Sequence, residues 1–321
     1  MIFTELIIKK LRSFFFKDSQ LRPFWLLVSY LPVVGFAALV IIWPIITLLN
    51  MMGYPSIPSD QVPVSFSDLA RRTIDLGISI IAVLVGTWAW RKYLCKRDMT
   101  SMGLSFYRPW ASELGIGVLT GVGLTTIIFV IEYLMGWIDV QALVWQVSLS
   151  GDVVGSLYLA LITAVMAAVV EEVLLRGYLL QSLEGWIGLR AAVVISSALF
   201  GLGHLLTATA GGWVNYVIPF TITLGGLMFA SAYLFSRSLW VAIGLHFAWN
   251  FFEYNVFALT GTLPDRASIL ITEVTGPHFW VGLPNSTFGP EVGALGVLAM
   301  MFCIGMFWRL RSRARDTLRM R

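Results

Sequence analysis

Long apolar runs alternate along this sequence with short segments that hold almost all of its charge. A helix crosses the hydrocarbon core of a bilayer with about 20 predominantly apolar residues. Eight runs read as such helices: Phe24–Leu49, Thr73–Trp90, Leu114–Trp137, Val153–Leu180, Ala191–Leu206, Trp213–Phe235, Leu239–Leu259 and Val292–Trp308. The apolar–polar alternation of a barrel strand is not evident. The pattern therefore predicts an all-α, polytopic membrane protein with about eight transmembrane helices. Trp90, Trp137, Trp213, Trp240 and Trp308 fall near run ends, where an interfacial belt places indole rings. The first run is uncharged and too long for the roughly 7–15-residue core of a removable signal peptide, so it reads as a retained span.

These runs divide the chain into five parts. Residues 1–22 are a basic flank, either an amphipathic helix lying on the inner leaflet or a plain charged leader into the first span. Residues 23–110 hold two spans and a basic loop, and residues 111–260 a larger helical bundle. Residues 261–290 form an outer loop rich in Pro, Ser and Gly, and residues 291–321 the last span with an arginine-rich tail.

Composition narrows the class further. Hydrophobic residues are 58% of the 321 and charged residues only 12%, and mean hydropathy is +0.81. A soluble domain carries roughly a quarter charged residues, and a disordered chain is poor in the aromatics abundant here. The net charge of +4 does not point to nucleic acid, because the basic residues sit at the ends of apolar runs. With eight spans, all but three of the 22 lysines and arginines (Arg71, Arg72 and Arg266) fall on the side shared by both termini. The positive-inside rule then puts both termini in the cytoplasm of a multi-pass cell-membrane protein. Cys95 and Cys303 lie on separate elements and give no disulfide framework.

Ionisable residues inside a span are costly, about 2.5 kcal/mol or more each on insertion scales, and persist where they face protein or water. The fourth run contains three of them within two turns: Glu171, Glu172 and Arg176. Glu172 and Arg176 have the favourable acid-first i,i+4 spacing, which leaves one carboxylate over for proton transfer. His204 ends the segment from Phe200, and His246 and Asn250 share one helical face on the seventh run. At about 1.5 Å per residue, Glu171, His204 and His246 lie some 14, 20 and 11 Å from the inner ends of their runs. Modest tilt brings them into one layer. Such a set suits hydrolysis: a carboxylate and an imidazole hold a water, while a second imidazole and an amide donate to an oxyanion. Gly201, Gly203, Gly225, Gly226 and Gly244 are placed to allow close helix approach. Glu132 and Glu253 read as buried structural partners, with a water path as the alternative, and His278 as a loop residue without a role.

These residues form three ordered motifs. Glu171-Glu172-Val-Leu-Leu-Arg176 fits EExxxR, Phe200 to His204 fits FxxxH, and His246-Phe-Ala-Trp-Asn250 fits HxxxN. Together they resemble the CPBP family, which includes the CAAX-type prenyl-protein endoprotease. The resemblance implies a CAAX endoprotease-like helical bundle and a glutamate-type intramembrane endopeptidase that needs no cofactor. Its partners would be the bilayer and a membrane-anchored protein or peptide. It implies Glu171 as general base with His204 activating the water, His246 and Asn250 at the oxyanion, and Glu172 with Arg176 ordering the helix. Zinc is the chemical rival, with two His and one Glu as ligands, although HExxH is missing. A proton- or ion-coupled transporter and a non-catalytic, immunity-type peptide binder are the rivals of other classes.

Overall fold

The computed structural model describes residues 16–17, 20–21, 23–54, 66–107, 109–147, 151–206, 214–262, 267–286 and 288–319. The amphipathic or basic flank before the first span lies almost wholly outside them. Only β1 (Phe16–Lys17) and β2 (Gln20–Leu21) are described there, as an antiparallel pair.

Apolar runs become helices because backbone groups in lipid must bond within their own segment. Helix α1 spans Pro23–Met51, with proline at its first position, where no N–H is needed, and Pro32 and Pro44 inside. Helix α2 (Phe66–Ala89) runs on through a π-helical turn, Trp90–Cys95, and α3 comes next at Trp110–Leu134. After β3 (Ile138–Leu143) and the short α4 (Val144–Val147) comes α5 (Gly151–Glu172). It passes through a π-helical stretch, Val173–Leu180, into α6 (Gln181–Ile187). Helix α7 (Leu189–Gly203) closes in a 3-10 turn, His204–Leu206, and α8 spans Val214–Ser236. Helix α9 (Leu239–Phe251) ends in a π turn, Phe252–Val256. Strand β4 (Leu270–Val274), α10 (His278–Val281), a 3-10 turn at Pro290–Val292 and α11 (Ala294–Arg319) complete the order.

Among the described residues, six helices are long and apolar enough to span a membrane: Phe24–Met51, Ser67–Cys95, Trp110–Leu134, Val153–Ile187, Tyr216–Ser236 and Ala294–Ser312. The other two expected spans are also helical. Helix α7 has 15 residues, about 22 Å at 1.5 Å per residue. Helix α9 has 13 before its π turn, and His246, Asn250 and Glu253 dilute its apolarity. It can be short and polar because its walls are protein: Leu239, Val241–His246, Ala248 and Trp249 are buried against α3, α5 and α8. At the periphery, Phe36, Trp43, Leu119 and Phe220 are each at least 68% exposed. In water such a surface would be an aggregation liability; facing acyl chains it is at home. The molecule is a multi-pass helical membrane protein.

Strands β3 and β4 pair antiparallel, Ile138 opposite Val274 and Leu143 opposite Leu270, with an irregularity between Val140 and Ala142. Six residues of alternation, Ile-Asp-Val-Gln-Ala-Leu, beside a long apolar run are easily read as loop, and the sequence pattern missed this pair.

Close helix contact has a local cause. A Cβ at Gly244 on α9 would overlap the Leu114 carbonyl oxygen of α3, and one at Gly117 would overlap the Val241 carbonyl oxygen. The two helices meet backbone to backbone, as small residues permit. Gly226 similarly seats α8 on Ser197 of α7, and Gly201 seats α7 on Pro219 and Thr223. Gly203 has open space beside it and Gly225 only ordinary contacts, so the expected close approach does not extend to them. A tight turn at Arg237 joins α8 to α9; the Ser238 hydroxyl caps α9, and Arg237 forms a two-pronged pair with Glu184 of α6 at 2.7 and 2.8 Å.

Candidate active site

Glu171 and Glu172 are successive residues at the end of α5, about 100° apart around the helix. They therefore face different surroundings. Glu172 is fully buried, whereas the Glu171 side chain keeps 33% exposure and lines a cavity of about 210 Å³. The π-helical stretch begins at the next residue, Val173. Such wider turns recur at functional sites because they redirect side chains without ending the helix.

Glu172 organises the wall behind the cavity. Its Oε1 accepts from Arg176 Nη1 at 2.7 Å and from His246 Nδ1 at 2.9 Å. Arg176 Nη2 donates to the Gly226 carbonyl at 2.8 Å, and the guanidinium lies 4.9 and 5.3 Å from the Phe200 and Phe229 ring centres. The His246 ring stacks on Phe229 at 4.2 Å and 17°. A buried ion pair is favourable only when its remaining polar atoms are also bonded; here a carbonyl and two aromatic rings surround the cation, while Glu172 Oε2 makes no hydrogen bond with the described residues.

That bonding fixes the chemistry of His246. With Nδ1–H committed to an anionic Glu172, Nε2 points at Glu171, 3.9 Å from Oε2. Glu171 Oε2 is shielded from solvent and makes no hydrogen bond with the described residues. A single water at the usual ~2.8 Å from each atom spans such a gap. His204 approaches from the end of α7, its Nδ1 donating to the Phe200 carbonyl at 2.9 Å and its ring 4.6 Å from that of Phe200. Asn250, one turn beyond His246 on α9, reaches the same space.

Four of the six residues singled out by sequence, Glu171, His204, His246 and Asn250, thus share one cavity. Glu172 and Arg176 stand behind it and do not line it. Glu132 and Glu253 are fully buried outside it, and His278 is exposed on α10. Tyr254 and Glu291 were missed. Tyr254 Oη donates to Glu291 Oε1 at 2.8 Å, and both residues line the cavity. Tyr254 continues the i,i+4 series of His246 and Asn250 and was there to be found; Glu291 arrives from the turn before α11, and no spacing announces it.

Zinc fits this donor set poorly. Among the described residues no three His, Cys, Asp or Glu side chains are grouped as ligands would be. Arg176 also places a fixed positive charge at the back of the site.

Residues 153–252 match the family model described as Rce1-like, type II CAAX prenyl endopeptidase Rce1-like. Over this segment the chain is similar to the Rce1-like, CAAX-type protease family. The matched segment runs from the start of α5 to the first residue of the π turn after α9, and so contains all three motifs. Comparison with curated proteins and with solved structures gives no match. Tyr254 and Glu291 fall outside the matched segment.

Proposed function

We propose that this Rce1-like chain is an intramembrane endopeptidase that hydrolyses a peptide bond of a membrane-associated protein or peptide. Glu171 takes a proton from the water held beside it, with His204 orienting that water. The resulting hydroxide attacks the scissile carbonyl carbon. The oxyanion that forms accepts hydrogen bonds from His246 Nε2–H and from the Asn250 amide. Glu172 accepts from Nδ1–H and so turns Nε2 toward the cavity. Glu171 then passes its proton to the departing amine nitrogen as the C–N bond breaks. A positioned general base contributes roughly 10²–10⁴-fold, and each oxyanion donor about 10²–10³-fold.

The observation that carries this reading is Glu171 Oε2, held 3.9 Å from His246 Nε2 in a shared cavity and without a hydrogen bond to the described residues. The orientation with both termini in the cytoplasm belongs to the same proposal and rests on the distribution of lysine and arginine. The test is a comparison of membrane fractions from cells carrying the wild type and Glu171→Gln. An uncut precursor that accumulates only with the variant, and that purified wild-type protein cleaves, supports the reading. Cleavage by the variant at the wild-type rate removes Glu171 as the base.

A further inference from the structure

The cavity is also lined by a carboxylate from outside the three motifs. Glu291 is 7% exposed and belongs to the turn leading into α11. Its Oε1 accepts from Tyr254 Oη at 2.8 Å, and its Oε2 accepts from the Gly289 N–H at 2.8 Å. Both donors are neutral, so they orient the carboxylate without cancelling its charge. Glu171 supplies a second carboxylate to the same cavity, and none of the described lining residues is a lysine or arginine. Arg176, the cation behind the wall, is turned away from the space and held by Glu172, the Gly226 carbonyl and two aromatic rings.

Charge in a concave, weakly polarisable site acts over longer range than in water, because less solvent screens it. His246, which donates from both ring nitrogens in the proposed mechanism, offsets one of the two acidic groups and leaves the Glu291 carboxylate over. That charge favours a bound segment that brings an ammonium or guanidinium group. Phe288, Met300 and Trp249 also line the space, and their apolar surface suits the methylene stem of a long basic side chain.

We infer that Glu291 is a specificity residue: it selects a substrate segment whose lysine or arginine side chain enters the cavity and pairs with its carboxylate, with Tyr254 fixing the orientation. This rests on the proteolytic reading for its biological meaning, but the binding preference is measurable without turnover.

The experiment uses full-length Glu171→Gln protein in lipid nanodiscs and acyl-anchored peptides in which lysine, norleucine or glutamate is walked through each position. At one or two neighbouring positions lysine should bind on the order of tenfold more tightly than norleucine, with glutamate weakest. Glu291→Gln in the same background should abolish that preference, and Glu291→Asp should retain part of it. Equal binding of the lysine and norleucine series at every position overturns the inference without any Glu291 variant having to fold. A lysine preference that survives Glu291→Gln overturns it as well. If the preference is present but protein with Glu171 intact cleaves none of the peptides, selection by Glu291 stands and the proteolytic reading falls.

Discussion

His246 Nδ1 lies 2.9 Å from Oε1 of Glu172, the same oxygen that receives Arg176 Nη1 at 2.7 Å. One carboxylate oxygen therefore joins α5 to the central helix α9 and fixes which imidazole nitrogen faces the cavity. The twin glutamates of the first motif have separate surroundings, and substitution should separate their proposed duties. Glu172→Gln leaves a buried guanidinium without its counter-charge, and breaking such a pair costs about 3–5 kcal/mol. Thermal unfolding in detergent, monitored by tryptophan fluorescence, should show a marked fall in Tm together with loss of activity.

Glu171→Gln should behave in the opposite way. Its side chain is one-third exposed, and Oε2 makes no hydrogen bond with the described residues, so little native bonding is lost. Stability should stay within about 0.5 kcal/mol of wild type. Hydrolysis should drop by at least about 10²-fold, as expected for loss of a positioned base. Parallel melting curves and a cleavage assay on one preparation check both outcomes. A Tm loss equal to that of Glu172→Gln would contradict the division of labour.

How much of the fold and site is legible in the sequence depends on the physical origin of each feature. The helical spans are readable because lipid imposes a length and a polarity on each of them. Helix α9 breaks the length rule because protein, not lipid, surrounds it. Glu172 with Arg176 and His246 with Asn250 are readable because i,i+4 spacing is a property of one helix. Which glutamate faces the cavity, and that His246 bonds Glu172, depend on how α5 crosses α9, which no single-helix periodicity encodes. The π-helical stretches after Glu172 and Phe251 rotate the residues beyond them, which further weakens any reading based on a 3.6-residue repeat. Glu291 is hidden for a third reason. It comes from a turn that closes over the bundle after a long loop.

The α3–α9 contact gives a prediction about packing alone. Gly244→Val should destabilise by about 1–3 kcal/mol or more, because the new side chain meets the Leu114 backbone. Gly123→Ala, on α3 with open space beside it, should be neutral or stabilising by up to about 1 kcal/mol. Comparing the two Tm values checks that backbone contact, rather than loss of any glycine, sets the cost.

Orientation is tested by thiol labelling in a Cys95→Ala, Cys303→Ala background, which removes both native cysteines. Thr275 comes directly after β4 and Ser312 lies near the end of the last span, and both are exposed. With both termini cytoplasmic, Thr275→Cys should react with a membrane-impermeant maleimide in intact cells. Ser312→Cys should react only after permeabilisation. The reverse pattern would invert the topology proposed from the lysine and arginine distribution.

Removal of metal separates the remaining chemical alternative. A zinc hydrolase needs three protein ligands and an open position, and among the described residues no three His, Cys, Asp or Glu side chains are grouped as ligands would be. In the proposed mechanism Glu171 with a water does the work that a zinc-bound hydroxide would otherwise do. Dialysis against a strong chelator, with residual metal measured on the same sample, should leave the cleavage rate unchanged within about twofold, a change in barrier of only some 0.4 kcal/mol. Loss of activity restored by zinc alone would mean that the cavity residues bind metal, and the water-activating role proposed for Glu171 would have to be given up.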